Sequence, residues 1–523
     1  MDQMSHRKSH KQAVVILHGM GEQIPMQTLE SFIEAVWTTD LSLSDPGKPD
    51  PDTGQARRRN ASWGKPDPRN HSFELRRITT EAAKNRRKTD FYEYYWADLM
   101  HDTTWEQVRA WIVDLLWRNP ARRVPRRVLA AWIVLWIIAL GVIAMALAGM
   151  IPADPEAPKP GPLRAILGGL AALAVAGFVS NVLVKRFGDV ARYVKAKPPN
   201  VARRQEIRSN GVQLLEELMV SKTQDGKPQY DRIILVAHSL GTIVAYDILT
   251  QLFARHNDKL TAAAQLQDST QPERDQLEQM IRAAAGLAVD KDTPAAPATT
   301  LDIDQFQAQQ SACLAEAQAQ GSPWIVSDFI TLGSPLTHAE FLMAENRDEM
   351  RARQATRVLP VCPPRLEFDQ TTDLWHFSFG GSNKPLQRRL PHHAALFAYT
   401  RWTNLYSDQR KILWGDLISG PLAETFGLQM QDDKGQAQLV CGIKDIAVLP
   451  GLDSVGNPLP GERRHMLTHN HYWDLTKGGP PMAAPGGRAA GEAGGSHATG
   501  GIAGTANPPP HIVALRKALR LLD

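Results

Sequence analysis

Residues Arg232 to Gly241 read RIILVAHSLG, and they restrict the fold more than any other stretch of the chain. Ile233 to Ala237 is a continuous apolar run of the kind buried on both faces in a parallel sheet. A helical pattern follows from Leu240 to about Phe253, with only His238 and Ser239 between the two. A strand that turns into a helix so abruptly leaves room only for small side chains two positions before and two after the turn residue. Ala237 and Gly241 occupy those positions around Ser239. Such a turn lifts the Ser239 hydroxyl above the carboxyl edge of the sheet, at the positive end of the following helix. The plainer alternative is a serine that only caps that helix.

Further strands are expected at Ala13–Leu17, Phe73–Ile78, Phe91–Trp96 and Trp324–Leu332, with a late strand or hairpin at Gln438–Val448. Helices are expected over about Thr28–Trp37 and over Arg203–Val220. Strands alternating with helices imply an α/β fold with a mainly parallel sheet. Residues 39–71 are rich in Pro, Asp, Arg and Gly and read as a long loop. Residues 255–320, polar and rich in Ala and Gln, read as a helical insertion. Residues 477–510 have the Gly, Ala and Pro content of a flexible linker, and 511–523 form a short amphipathic helix. The α/β body thus occupies 1–118 and 201–476, and is interrupted at 119–200.

The interruption has its own character. Leu129 to Ile151 is a run of 23 residues without a charge. As a helix it would reach about 35 Å, enough for a hydrocarbon core of about 30 Å. Ala165 to Val184 is a second run of 20 residues, polar only at Ser180 and Asn181. The proline-rich segment 152–162 between them cannot stay helical. Five basic residues precede the pair (Arg118, Arg122, Arg123, Arg126, Arg127) and five follow it (Lys185, Arg186, Arg192, Lys195, Lys197), against Lys159 and Arg164 in the turn. The expectation is a transmembrane hairpin with both flanks inside, rather than two buried core helices. Residues 104–117 have helical apolar spacing and suit either the membrane interface or an ordinary core helix.

The overall composition, with 22% charged and 43% apolar residues, excludes a disordered or collagen-like chain. A net charge of +4 over 523 residues gives no argument for nucleic acid as a partner. Cys313, Cys362 and Cys441 are far apart and form no CxxC pair, so neither a disulfide framework nor a structural zinc site is expected. The arginine runs at 57–59, 76–77 and 86–87 read as solvated surface or as contacts to anionic headgroups.

The expected first strand ends in His18-Gly19-Met20-Gly21. Acyl transfer builds negative charge on a carbonyl oxygen, and two backbone N–H groups aimed at it stabilise that charge. Leu240, directly after the serine, and Met20 are the expected donors.

With these motifs the chain resembles α/β-hydrolases of the serine lipase/esterase kind, including bacterial membrane-associated hydrolases and lipase-like GPI-inositol-deacylase relatives. The matching residues are HGMG at 18–21, AHSLGT at 237–242, TLGSPL at 331–336, WTNLY at 402–406 and the His-x-x-Tyr-Trp at 469–473. The resemblance implies an α/β-hydrolase fold carrying the inserted hairpin. It also implies the chain order nucleophile, acid, histidine. Asp416 is the expected acid, with Asp408 and then Asp373 as rivals. His469 is the expected base, three residues before the Tyr of a Tyr-Trp pair, with His471 as the alternative. Gly333-Ser334-Pro335 suggests a second nucleophile, but relatives imply a structural role there.

His465, His469, His471 and Asp474, or His392 and His393, have ligand chemistry for zinc. No HExxH occurs, and serine chemistry accounts for the same histidines. No metal is expected, and with neither a Walker A loop nor GxGxxG, no cofactor either. The expected activity is hydrolysis of an acyl ester of a lipid or other amphiphile, on the cytoplasmic face of a bacterial inner membrane. The insertion 255–320 or the hairpin would cap the site. A thioesterase would use the same residues. A membrane-tethered scaffold without activity would leave Ser239 Oγ more than about 5 Å from any histidine nitrogen.

Overall fold

Side chains alternate along β1 (Lys11–Leu17) and so define two layers. Ala13, Val15 and Leu17 join one apolar core, and Val14 and Ile16 join another. The computed structural model describes residues 11–19, 24–100, a few positions between 117 and 141, 193–194, 198–263, 270–378, 389–408, 415–431, 435–450, 468–475 and 508–523, some single positions within these ranges excepted.

The other strands are β2 (Ser62–Pro66), β3 (Arg76–Thr80), β4 (Lys88–Tyr94), β5 (Arg232–His238), β6 (Val326–Leu332), β7 (Glu367–Asp369), β8 (Leu374–His376), β9 (Arg401–Tyr406), β10 (Leu428–Gln431), β11 (Ala437–Val440) and β12 (Lys444–Ala447). Eight of them form one sheet in the order β12-β9-β6-β5-β1-β4-β3-β2. From β12 to β4 all neighbours are parallel, and β3 and β2 add an antiparallel edge. β7 with β8 and β10 with β11 are separate hairpins.

Helices cover both faces. On one side Leu214 and Leu218 of α2 (Pro198–Val220) and Val244 and Ile248 of α3 (Gly241–Ala263) pack on Val15 and Leu235. On the other, Phe32 of α1 (Gln27–Ile33) packs on Val14, Phe91 and Ile234. The insertion contributes α4 (Pro272–Ala284) and α5 (Ile303–Ala319), α6 (Arg347–Ala355) follows, and the last helix is α7 (Pro510–Leu519). Ile512 and Leu515 of α7 share the core of α1. Each such side chain removed from water contributes roughly 1.5–3 kcal/mol.

Several expected boundaries move. The strand expected at 73–78 begins at Arg76, and the one expected at 91–96 spans Lys88–Tyr94. The loop 39–71 contains β2, an exposed edge strand of low apolar content. The helix expected over 28–37 is α-helical to Ile33 and continues as a π-turn over Glu34–Thr38. The late strand or hairpin expected at 438–448 is two strands that pair with different partners and not with each other.

The insertion carries α4 and α5, joined by a stretch that is not helical where described, and α5 lies away from Ser239. Gln307 of α5 donates to the Trp402 carbonyl (3.2 Å), and Gln310 donates to those of Phe397 (2.5 Å) and Thr400 (3.2 Å). These bonds seat α5 at the amino end of β9, whereas Ser239 follows the carboxyl end of β5. Arg274 of α4 is buried with its guanidinium 4.3 Å from the Phe377 ring centroid, bonded to Glu278 and Ser378.

The expected spans at 129–151 and 165–184 lie outside the described residues, except Leu129, Trp132, Ile133, Trp136, Ile137, Leu140 and Gly141, which are helical. Leu129 and Trp132 pack against the main core. Among the described residues no helix is long and apolar enough to cross a membrane. Residues 104–116 and 477–507 also lie outside the described part.

Candidate active site

The turn after β5 is strained. The Ser239 N–H still bonds to the Leu332 carbonyl of β6 (3.0 Å), but its φ is +53°. For a residue with a Cβ this conformation costs on the order of 1–3 kcal/mol, which the neighbours must sustain. Gly241 shows how: a Cβ there would lie 2.3 Å from the His18 carbonyl oxygen. Only a residue without a side chain lets α3 start against the end of β1. Thr242 donates from Oγ1 to the Ser239 carbonyl (2.7 Å) and accepts from Ser334 Oγ (2.7 Å). Ser334 also accepts the Leu336 N–H (3.2 Å) and is fully buried. Its hydroxyl therefore braces the elbow and is closed off from solvent.

The structure brings Ser239, His469 and Asp416 together. Ser239 Oγ is 2.7 Å from His469 Nε2, and His469 Nδ1 is 2.9 Å from Asp416 Oδ2. An ionised carboxylate only accepts, so Nδ1 carries the imidazole proton and Nε2 presents its lone pair to the hydroxyl. Asp416 is buried, which by itself would raise its pKa. The adjoining His469 and bonds from His469, Ile418 and Tyr472 outweigh burial and hold it down to about 2.

Asp416 is held by residues of the sequence motifs to which the motifs themselves assign no role. Tyr472 donates its phenolic proton to Asp416 Oδ2 (2.8 Å) and accepts the Ser407 N–H (3.0 Å). Asn404 of β9 donates to the Gly420 carbonyl (3.0 Å) and to Asp445 (2.7 Å). Asp445 in turn accepts the N–H groups of Leu422 and Ala423. The WTNLY strand thus fixes the loop that follows Asp416. Gly333, at φ +58°, ends β6 beneath the pair: a Cβ would lie 3.2 Å from Asp416 Oδ2 and 3.3 Å from His469 Nδ1.

His18 and His238 are also present but differently engaged. His18 accepts the Trp96 N–H at Nε2 (3.1 Å), so its Nδ1–H donates to the Gly19 carbonyl (2.7 Å). Burial pushes its pKa down to about 4. The His238 Nε2 lies 2.7 Å from the His469 carbonyl oxygen. Neither ring offers a lone pair to Ser239.

The rival residues stand elsewhere. His471 pairs with Asp474 (2.6 Å), Asp408 is exposed beyond β9, and Asp373 turns the β7–β8 hairpin at φ +57°. His392 and His393 face the carbonyls of Arg365 and Arg357. His465 lies outside the described residues, among which no three His, Cys, Asp or Glu gather as a metal site. Leu240 is buried at the start of α3. Met20 lies outside the described residues. Of the arginine runs, Arg57 pairs with Glu81 and Arg77 with Asp67, while Arg58, Arg76 and Arg86 are exposed.

No family model matches the chain, and no curated protein or solved structure compared with it matches either.

Proposed function

We propose that the chain is a membrane-anchored serine hydrolase of the α/β-hydrolase fold that cleaves carboxylic esters of lipids or other amphiphiles. The observation that carries this is the Ser239 hydroxyl at 2.7 Å from a histidine nitrogen whose other nitrogen faces a buried carboxylate. Ser239 Oγ attacks the ester carbonyl while His469 Nε2 takes its proton. The oxyanion is held by the N–H groups of Leu240 and Met20. His469 then gives the proton to the leaving alkoxide, and an acyl group remains on Ser239. Water repeats the sequence and frees the acid. Asp416 stays ionised throughout and steadies the imidazolium.

The lipid part is motivated by the two uncharged runs and their basic flanks, which favour a bacterial inner membrane with the catalytic body on the cytoplasmic side. A fluorophosphonate probe tests the chemistry. Wild type is expected to be labelled at Ser239 and Ser239→Ala to stay unlabelled. Equal labelling of both ends the proposal. An ester panel with short and long acyl chains then tests the substrate class, and a uniform preference for water-soluble esters would remove the lipid part.

A further inference from the structure

The distance from the hydroxyl to the imidazole must be kept between positions 230 residues apart in the chain. Ser239 is fixed by β5 and α3. His469 sits in a single 3-10 turn, Thr468–Asn470. Two rather long bonds tie that turn to neighbouring loops: Thr468 N–H to the Gly415 carbonyl and Thr468 Oγ1 to Ser407 Oγ, both 3.2 Å. A shorter one comes from the residue next to the nucleophile, where His238 Nε2 meets the His469 carbonyl at 2.7 Å.

A carbonyl only accepts, so His238 Nε2 carries the ring proton. Its Nδ1 faces Gly19, where a Cβ would lie 3.1 Å away. The ring is buried edge-on against Trp473, with centroids 4.9 Å apart and planes at 86°. Burial, with His469 nearby, pushes its pKa down to about 3, so the ring stays neutral throughout the neutral range.

The geometry points to His238 as a positioning residue that straps the main chain of the base to the strand carrying the nucleophile, and so sets the Ser239–His469 distance. This rests on the reading of Ser239 and His469 as nucleophile and base. A glutamine at 238 places an amide N–H near the Nε2 position. An asparagine is one bond too short to reach, and a leucine has no donor.

Full-length wild type, Ser239→Ala, His238→Gln, His238→Asn and His238→Leu are compared by turnover of a p-nitrophenyl ester and by the rate of fluorophosphonate labelling. The Asn and Leu variants are expected to lose about 100-fold in kcat, the scale of a misplaced reacting group. Their KM should stay within about twofold, because ground-state binding is untouched. His238→Gln is expected to remain within about fivefold of wild type, since the hydrogen bond persists. Wild-type turnover in Asn and Leu overturns the inference, as does a Gln variant as slow as Leu. If His238→Leu does not fold, the Gln and Asn pair decides on the same terms. Failure of wild type to be labelled at Ser239 sinks the hydrolase reading and this inference with it. Labelled wild type with no difference among the His238 variants sinks the inference alone.

Discussion

Gly333→Ala tests whether the floor of the site is as tight as the distances imply. The new methyl would sit 2.7 Å from Tyr472 Cε2, 3.2 Å from Asp416 Oδ2 and 3.3 Å from His469 Nδ1. Carbon atoms in contact settle at about 3.5 Å, so the tyrosine ring must retreat by about 0.8 Å. It cannot retreat alone, because its hydroxyl is bonded to Asp416, Ser407 and Ser419. The ring would drag the carboxylate off the imidazole. The backbone adds to the cost: φ is +58°, and an alanine there loses about 1–2 kcal/mol relative to glycine. Overpacking adds roughly another 1–3 kcal/mol. For catalysis, a displacement approaching 1 Å lowers kcat/KM by about 100-fold. The assay is ester turnover at a temperature where urea unfolding shows the variant folded. Activity within about threefold of wild type, with the fold intact, would refute the argument that the methyl reaches the Asp416–His469 pair.

Three further outcomes follow from other parts of the molecule. Tyr472→Phe removes one of the two donors on Asp416 Oδ2. The carboxylate then holds the imidazolium more strongly, and the acid limb of kcat/KM moves to higher pH by about half to one unit; an unmoved limb counts against the phenol's role. His18, His238 and His392 are buried and neutral, with burial pushing their pKa values down to about 4, 3 and 3. Their unfolded value is about 6.5, so between that pH and about 4 the unfolded chain binds protons the folded chain refuses. Stability falls by about 2 kcal/mol per histidine at pH 5 relative to neutral pH. Asp416, depressed to about 2, loses its stabilisation only below its unfolded value of about 3.9 and offsets nothing in this window. Urea midpoints equal at pH 7 and pH 5 would disprove this. Arg232→Met leaves Asp328 with Arg401 and the Ser327 hydroxyl and deprives the Leu519 and Arg520 carbonyls of a donor. A loss of about 3–5 kcal/mol is expected in thermal unfolding, and an unchanged midpoint would contradict it.

The parts of this fold legible in the chain are those where one side-chain rule dominates. RIILVAHSLG reads as strand, turn and helix because burial, small residues and helical spacing change within ten positions. β9 does not read as a strand, because Arg401, Thr403 and Asn404 interrupt the apolar pattern. Each is buried against a partner far away in sequence: Asp328, Gln307 and Asp445. The antiparallel edge strand β2 was hidden for the opposite reason, since nearly all of it faces water. In the site, the resemblance favours Ser239, Asp416 and His469 over Asp408, Asp373 and His471, and the fold brings the first three within hydrogen-bonding distance. The bonds from Tyr472, His238 and Asn404 were invisible, because they depend on which loops meet and not on local spacing.

The 230 positions between the elbow and its imidazole have a temporal meaning during synthesis. At about 5–20 residues per second, roughly 10–50 s of translation separate the two. On the ribosome the Ser239 hydroxyl is thus made well before the imidazole that it meets in the fold. Under the proposed mechanism, a chain halted between the two would hold a serine with no base and would leave esters untouched. The proposed hydrolase is therefore armed late, once position 469 has been added.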